Sequence, residues 1–269
     1  MAAFYDQVKN TNTEYFNGGS YVTGSWTLHA RHASTAPLTT KEYVDFTWSP
    51  NTTTKGALIF SSAAADRAMD TKIFTANGSG GGSWSGSANT SNQGTLGAMQ
   101  IASRLGADEF QACDKDANND IYCFKSNMTP TWTTPTNNIM TLTTEPGIQG
   151  SFDMDFEPVS GALALAVYSD NTTVPKYKKY IASTSTWDAA ATNIPALGEV
   201  LTAVRVKTMP DSDDIMVLMS DVNLEIYTIE WNGSTNAMYT TPAGKALTLH
   251  GSNGSDITEF WYDFAWDRQ

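Results

Sequence analysis

The sequence repeats a pattern of four short strands about every fifty residues, and this period restricts the folds open to it. One copy contains Ser151–Phe156, Gly161–Asp170, Lys176–Tyr180 and Ser185–Trp187. The first, third and fourth segments alternate polar and apolar residues, whereas the second is a nearly unbroken apolar run. Such a run is typical of a strand covered on both faces. Each copy therefore predicts an antiparallel meander of four strands.

An aromatic residue in the fourth strand marks the period. These residues are Trp84, Trp132, Trp187 and Tyr239, each about fifty positions after the last. Residues 255–269 look like a first strand with no continuation, whereas Ala3–Asp6, Thr13–Phe16 and Ser25–Trp26 look like second, third and fourth strands. The two ends of the chain are therefore complementary parts of one further unit.

Complementary ends predict a closed ring, because a shared sheet leaves no strand edge exposed. We expect an all-β fold, a five-bladed β-propeller of four-stranded antiparallel blades, closed by the C-terminal strand joining the N-terminal three strands. The expected single domain spans 1–269, with a shared blade of 1–29 plus 255–269 and blades of about 41–93, 96–147, 149–197 and 198–251. The rival folds, a β-sandwich or an open array of hairpins, do not require complementary ends.

Composition excludes some partners. With 16% charged residues and a net charge of -12, the chain lacks the clustered Lys and Arg of nucleic-acid-binding proteins, whereas a cationic partner or calcium suits it. No apolar run is long enough for a membrane span, and the first residues do not form an export signal. We therefore expect neither nucleic acid nor membrane insertion.

Cysteine spacing and glycosylation sequons point to an oxidising location. Cys113 and Cys123 flank a polar turn, where facing strands of a hairpin would bring them within disulfide reach; two buried free thiols are the alternative. The Asn-X-Ser/Thr sequons begin at Asn51, Asn77, Asn89, Asn127, Asn171, Asn232 and Asn253. Both features favour an extracellular or cell-surface protein.

Three segments carry a family resemblance. Tyr168–Asp170, Lys176–Lys178 and Ser185–Trp187 resemble the repeat of some bacterial and archaeal cell-surface propellers, in which an Asp-containing turn precedes a Tyr-rich strand and a Ser-Trp strand. The resemblance implies a propeller within a larger extracellular protein or assembly. It brings no catalytic residues with it.

The first strand of each expected blade lines a central channel, and one aligned position is polar in every copy. The aligned residues form a channel ring of Asp45, Gln100, Asp153, Arg205 and Asp263. A wet channel needs polar groups for solvation, which gives the ring a structural interpretation. Catalysis by Asp45, Asp153 and Asp263 is the other interpretation, because paired carboxylates can act as acid and base.

The turn between the two cysteines has oxygen ligands at the alternate positions Asp114, Asp116, Asn118 and Asp120. This spacing is that of a calcium loop, although Asn119 and Lys125 stand where an EF-hand has Gly and Glu. Asp and Asn are also ordinary turn formers. A recurrent aspartate at the end of the second strand predicts turn capping; its copies are Asp6, Asp114, Asp170 and Asp221.

No segment of the sequence names a reaction. His29, His32 and His250 have no metal-ligand spacing, and no nucleophile elbow is present. We expect a non-enzymatic extracellular or cell-surface propeller that binds a glycan or a protein, or that serves as a structural or adhesion module. The alternative is a glycan-active hydrolase using the channel carboxylates. We expect no cofactor, with calcium as the exception to test.

Overall fold

The computed structural model describes most of the chain. The described residues are 2–6, 14–22, 25–28, 32–34, 44–52, 54–61, 68–77, 82–90, 96–116, 120–129, 131–133, 139–141, 152–242 and 244–252. These residues are strand, turn and loop, with no helix among them. Within the same residues no helix is long and apolar enough to cross a membrane. The all-β prediction is therefore confirmed.

The chain divides into two compact units. The first unit comprises 1–103 and 107–140, and the second comprises 104–106 and 141–269. Within the described residues the strands form five antiparallel sheets. Each sheet contains strands that follow one another in the chain, as expected of a meander.

The first three sheets follow one another along residues 2–141. The first sheet contains β1 (Ala2–Asp6), β2 (Glu14–Val22), β3 (Ser25–Leu28) and β4 (His32–Ser34). The second contains β5 (Val44–Trp48), β6 (Lys55–Phe60), β7 (Asp70–Ala76), β8 (Gly82–Trp84) and β9 (Ala88–Asn89). The third contains β10 (Leu96–Arg104), β11 (Glu109–Asp116), β12 (Asp120–Ser126) and β13 (Met140–Thr141).

The last two sheets belong to the second unit. The fourth sheet contains β14 (Phe152–Phe156), β15 (Leu163–Tyr168), β16 (Lys176–Ile181), β17 (Thr186–Trp187) and β18 (Thr192–Asn193). The fifth contains β19 (Leu201–Thr208), β20 (Ile215–Asp221), β21 (Glu225–Asn232), β22 (Ala237–Met238) and β23 (Thr248–Ser252). In both sheets the second strand pairs with the first and the third.

In the second to fifth sheets the second strand is the most buried one. Every residue of β11 and of β15 is buried, and β20 is buried at all positions except Met216. In β15 and β20 the near-continuous apolar run therefore lies under neighbours on both faces, as its sequence predicted, whereas β11 is equally buried with polar residues among the apolar ones. In the second unit its apolar side chains share a cluster with Val204 and with Trp231, which is fully buried.

The fourth strand of each sheet is short, and in the fifth sheet its aromatic residue is one position away from the predicted one. Trp84 pairs with Phe74 and Trp187 pairs with Tyr180, but the partner of Trp231 is Met238. Tyr239 is therefore one residue beyond the equivalent position, which Met238 occupies, packed against the core of the second unit. Residues 255–269, the expected closing strand, lie outside the described residues.

Candidate functional site

A cleft of about 350 Å³ lies at one end of the fourth sheet, where β14 turns into β15 and β16 turns into β17. The described residues that line it all belong to the second unit. They are Arg104, Ser160, Ala162, Leu163, Lys179, Ile181, Ser183 and Asn236. These described residues include two cations and no carboxylate, so among themselves they offer no acid–base pair for hydrolysis.

The guanidinium group of Arg104 is fixed at the cleft wall. Its Nε donates a hydrogen bond of 2.7 Å to the carbonyl oxygen of Gly161. Gly161 has φ +57, and a Cβ there would overlap the carbonyl oxygen of Leu105. Only glycine permits both this backbone conformation and this close approach. Gly161 therefore sets the position of the arginine.

Lys179 provides the second cation. It lies on β16, where its backbone N–H donates a hydrogen bond of 3.2 Å to Asp188. The Nζ atom of Lys179 is 3.9 Å from the same carboxylate, a long contact for an ion pair. Both groups are only partly buried, so this contact adds little stability.

Neutral groups complete the cleft. Ser160 donates a 3.0 Å hydrogen bond to Glu157, and Ser183 and Asn236 are exposed. Leu163 is buried, whereas 38% of Ile181 remains exposed. The cleft thus combines charge, hydroxyl and amide groups with an apolar surface, which is the mixture that sugar rings contact.

Two members of the channel ring join neighbouring strands within a unit. In the first unit, Asp45 accepts hydrogen bonds of 2.7 Å from Phe46 N–H and 2.9 Å from Ile101 N–H. In the second unit, Asp153 accepts bonds of 2.8 Å from both Met154 N–H and Val206 N–H. Each carboxylate thus links the first strand of one sheet to the first strand of the next.

A second link follows two residues along the same strands. In the first unit, the hydroxyl group of Thr47 donates a hydrogen bond of 3.0 Å to the hydroxyl oxygen of Ser103. In the second unit Thr208 donates a 3.2 Å hydrogen bond to Asp155, and burial raises the pKa of Asp155 to about 6. Because these two links occur in both units, we interpret them as a structural feature of the repeat.

The other ring members are less informative. Gln100 and Arg205 are half-buried, and Arg205 donates a 3.4 Å hydrogen bond to the carbonyl oxygen of Val204. Asp263 lies outside the described residues.

Cys113 and Cys123 form a disulfide, as the spacing predicted. They are directly opposite residues of β11 and β12, with Cα atoms 4.1 Å apart. The bond therefore joins the second and third strands of the third sheet.

Aspartates at the end of the second strand cap turns in the third and fifth sheets, but the prediction for the third sheet was two residues early. Asp221 accepts hydrogen bonds of 3.0 Å from the N–H groups of Asn223 and Glu225. Asp116 accepts a bond of 2.9 Å from Asp120 N–H in the same geometry. Asp116, and not Asp114, therefore caps this turn. In the longer turn of the fourth sheet, the carboxylate of Asp170 accepts hydrogen bonds from the side chains of Thr172 and Lys176.

Asp114 lies in the core instead. It is 1% exposed, and neither carboxylate oxygen accepts a hydrogen bond from another described residue. Burial, followed by the nearby charge of Asp116, raises the pKa of Asp114 to about 8. Asn118 lies outside the described residues, among which no group of three or more acidic, His or Cys ligands is arranged to hold a metal ion.

No protein-family model and no curated protein sequence matches the chain, but solved structures do. A lectin from Aleuria aurantia, in complex with Fucα1-6GlcNAc, is 10% identical with a TM-score of 0.57, over 94% of this chain and 75% of that one. Another structure of this lectin is described as a six-bladed β-propeller with a novel fucose recognition mode. The fold of this chain is a β-propeller.

Two further structures share this fold. AofleA from Arthrobotrys oligospora has a TM-score of 0.58 at 12% identity, over 96% of this chain and 73% of that one. The lectin BP39L from Burkholderia pseudomallei has a TM-score of 0.60 at 11% identity, over 88% of this chain and 63% of that one. At these identities the likeness concerns the fold alone.

Proposed function

We propose that the chain is a closed, five-bladed propeller domain over residues 1–269 that binds a glycan and does not cleave it. The cleft beside Arg104 and Lys179 carries this proposal, because its described lining residues present several polar groups and an apolar surface without a carboxylate. The propeller lectins from Aleuria aurantia and Burkholderia pseudomallei, which share the fold, support it by analogy.

The proposed ring closure assigns residues 255–269 to the first blade as its innermost strand. In the described residues, the other four blades each begin with an inner strand that pairs with a buried second strand. The first sheet instead begins at β1, which pairs with β2. In the proposed alignment β1 corresponds to the second strand of the other blades and β2 to the third, so the position of the inner strand is left for residues 255–269. A closing strand would complete this blade and cover its edge.

The proposed setting is extracellular or at the cell surface, within a larger protein or assembly whose partner is a surface glycan or protein. The disulfide supports an oxidising compartment, and Asn51, Asn77 and Asn171 of the sequons are exposed. The proposal includes no cofactor. The alternative is that calcium binds at the end of the cysteine hairpin. Its ligands would be Asp114, Asp116, Asn118 and Asp120.

Binding without cleavage is the first prediction. On an array of neutral and anionic glycans, the whole chain should retain a subset of sugars, and those same sugars should show no new reducing ends after prolonged incubation. A propeller that binds no glycan on the array contradicts the proposal, and release of reducing ends contradicts its non-enzymatic part.

The hydrolase alternative is tested at Asp153. Because this carboxylate accepts two backbone N–H groups, Asp153→Asn should lower stability by about 1–3 kcal/mol and leave glycan binding unchanged. Thermal melting and calorimetric titration measure the two effects. Asp211→Asn, at an exposed position, is the matched control and should change neither. Hydrolysis by the wild-type chain that Asp153→Asn abolishes would establish the alternative.

A further inference from the structure

The charge of the cleft is not repeated at the equivalent positions one sheet further along the chain. Trp187 pairs with Tyr180 and Met238 pairs with Trp231, so the preceding residues Lys179 and Glu230 occupy equivalent positions. Arg104 and Glu157 are likewise equivalent, because they lie at the same distance after the aligned ring positions. The fourth and fifth sheets therefore supply two glutamates where the third and fourth supply the arginine and lysine of this cleft.

The two glutamates have structural partners of their own. Glu157 accepts a 3.3 Å hydrogen bond from the indole N–H of the fully buried Trp231. Glu230 forms an ion pair of 2.8 Å with Lys245. The propeller repeat thus accepts either sign of charge at these positions, so the fold itself does not require the cations of the cleft.

Two cations in one cleft are also unusual for this chain, which has 16 Lys and Arg against 28 Asp and Glu. An anion that approaches a protein of net charge -12 is repelled at long range. Arg104 and Lys179 place positive charge at the cleft wall, and a guanidinium group held in one plane suits an oxyanion with two oxygens. The neighbouring Ile181, which is 38% exposed, offers apolar surface to the C–H face of a sugar ring.

We propose that this cleft binds an anionic sugar, one that carries a carboxylate or a sulfate group. Arg104 and Lys179 contact the anion, while the exposed Ser183 and Asn236 are placed for the sugar hydroxyl groups. The inference rests on the proposed glycan-binding function and adds the ligand class and the residues that select it.

The test compares three probes on the whole chain by isothermal titration calorimetry: oligogalacturonate, a sulfated galactan oligosaccharide and a neutral galacto-oligosaccharide. We expect at least one anionic probe to bind about tenfold more tightly than the neutral one, with affinity falling as salt is added. The two anionic probes separate recognition of a carboxylate from recognition of a sulfate.

Three variants locate the site. Arg104→Gln and Lys179→Gln should each weaken binding of the anionic probe by about tenfold, since each removes a charge-assisted hydrogen bond. Lys178→Gln is the matched control, because it makes the same change of charge one residue away, on the other side of β16, and should leave affinity unchanged. Each variant is first shown to melt near the wild-type temperature, and Lys179→Gln alone suffices if Arg104→Gln does not fold.

The outcomes are distinct. Equal binding of neutral and anionic probes overturns the inference and leaves glycan binding intact. Binding of none of the probes or array sugars overturns both. An anionic probe that binds all three variants equally well places its site elsewhere and overturns the assignment to this cleft.

Discussion

Replacing Asp114 with Asn should raise the melting temperature of this chain at pH 7 and leave it almost unchanged at pH 4. The carboxylate is 1% exposed and accepts no hydrogen bond from another described residue, so its ionised form is costly in the core. Asn has nearly the same shape and no charge. The substitution therefore removes a cost of ionisation without changing the packing.

The direction of the pH dependence follows from the raised pKa. The pKa of Asp114 is about 8 in the folded chain against 3.8 for an unperturbed aspartate. The stability that its proton contributes is complete below pH 4 and is lost as the pH rises to about 8. At about 1.4 kcal/mol for each pH unit, the loss between pH 4 and pH 7 is at most about 4 kcal/mol.

The residues equivalent to Asp114 in three other sheets suggest a second variant at this position. Register places Phe60, Tyr168 and Met219 where Asp114 lies in the third sheet, and all three are buried. Asp114→Met should therefore also stabilise the fold at pH 7, provided that the methionine fits. Because the Asn variant adds no volume, it tests the charge alone if the Met variant is overpacked.

Melting curves from pH 4 to pH 9 in EDTA measure the effect. Asp211→Asn is the matched control, because it makes the same chemical change at an exposed position and should leave the melting temperature unchanged at each pH. A wild-type curve as flat as that of Asp114→Asn would show that burial of this carboxylate is not costly. If added calcium instead raises the melting temperature of the wild-type chain but not that of Asp116→Asn, calcium binds at the end of this hairpin.

The sequence was sufficient for the repeated strands because burial on both faces favours apolar runs, which β6, β15 and β20 show at a fixed period. It placed the turn-capping residue at Asp114 because Asp116 follows two residues later and both are aspartates; only the strand register separates them. Sequence patterns do not encode which of two identical residues meets the turn amides. The disulfide was predictable because its residues flank a short turn symmetrically.

The cleft was missed for a different reason. Arg104 and Lys179 are 75 positions apart, and neither belongs to a motif. What brings Arg104 into place is a glycine at φ +57 that lets the carbonyl oxygen of Leu105 approach. Aligning the repeats by strand pairing would have given a signal, since Lys179 aligns with Glu230 and Arg104 with Glu157. Oppositely charged residues at equivalent positions indicate sites that the fold does not constrain.

Loss of the disulfide should lower stability by about 2–3 kcal/mol, the loop-closure entropy expected for a cross-link between residues ten positions apart. For a chain of this size the melting temperature should fall by roughly 5–10 °C in reductant. The variant with both Cys113→Ser and Cys123→Ser should melt at a similarly lowered temperature and show no response to reductant.

The disulfide also separates two origins of stability in the third sheet. The apolar side chains of β11 pack against the second sheet on one face, where Phe110 and Ala112 share a cluster with Ile59. The cross-link instead restricts the unfolded chain, so its removal should lower stability equally at pH 4 and pH 7, whereas the effect of Asp114 appears only at the higher pH. A wild-type chain whose thiols react with a thiol reagent in reductant, yet whose melting temperature is unchanged, would show that packing alone holds this hairpin.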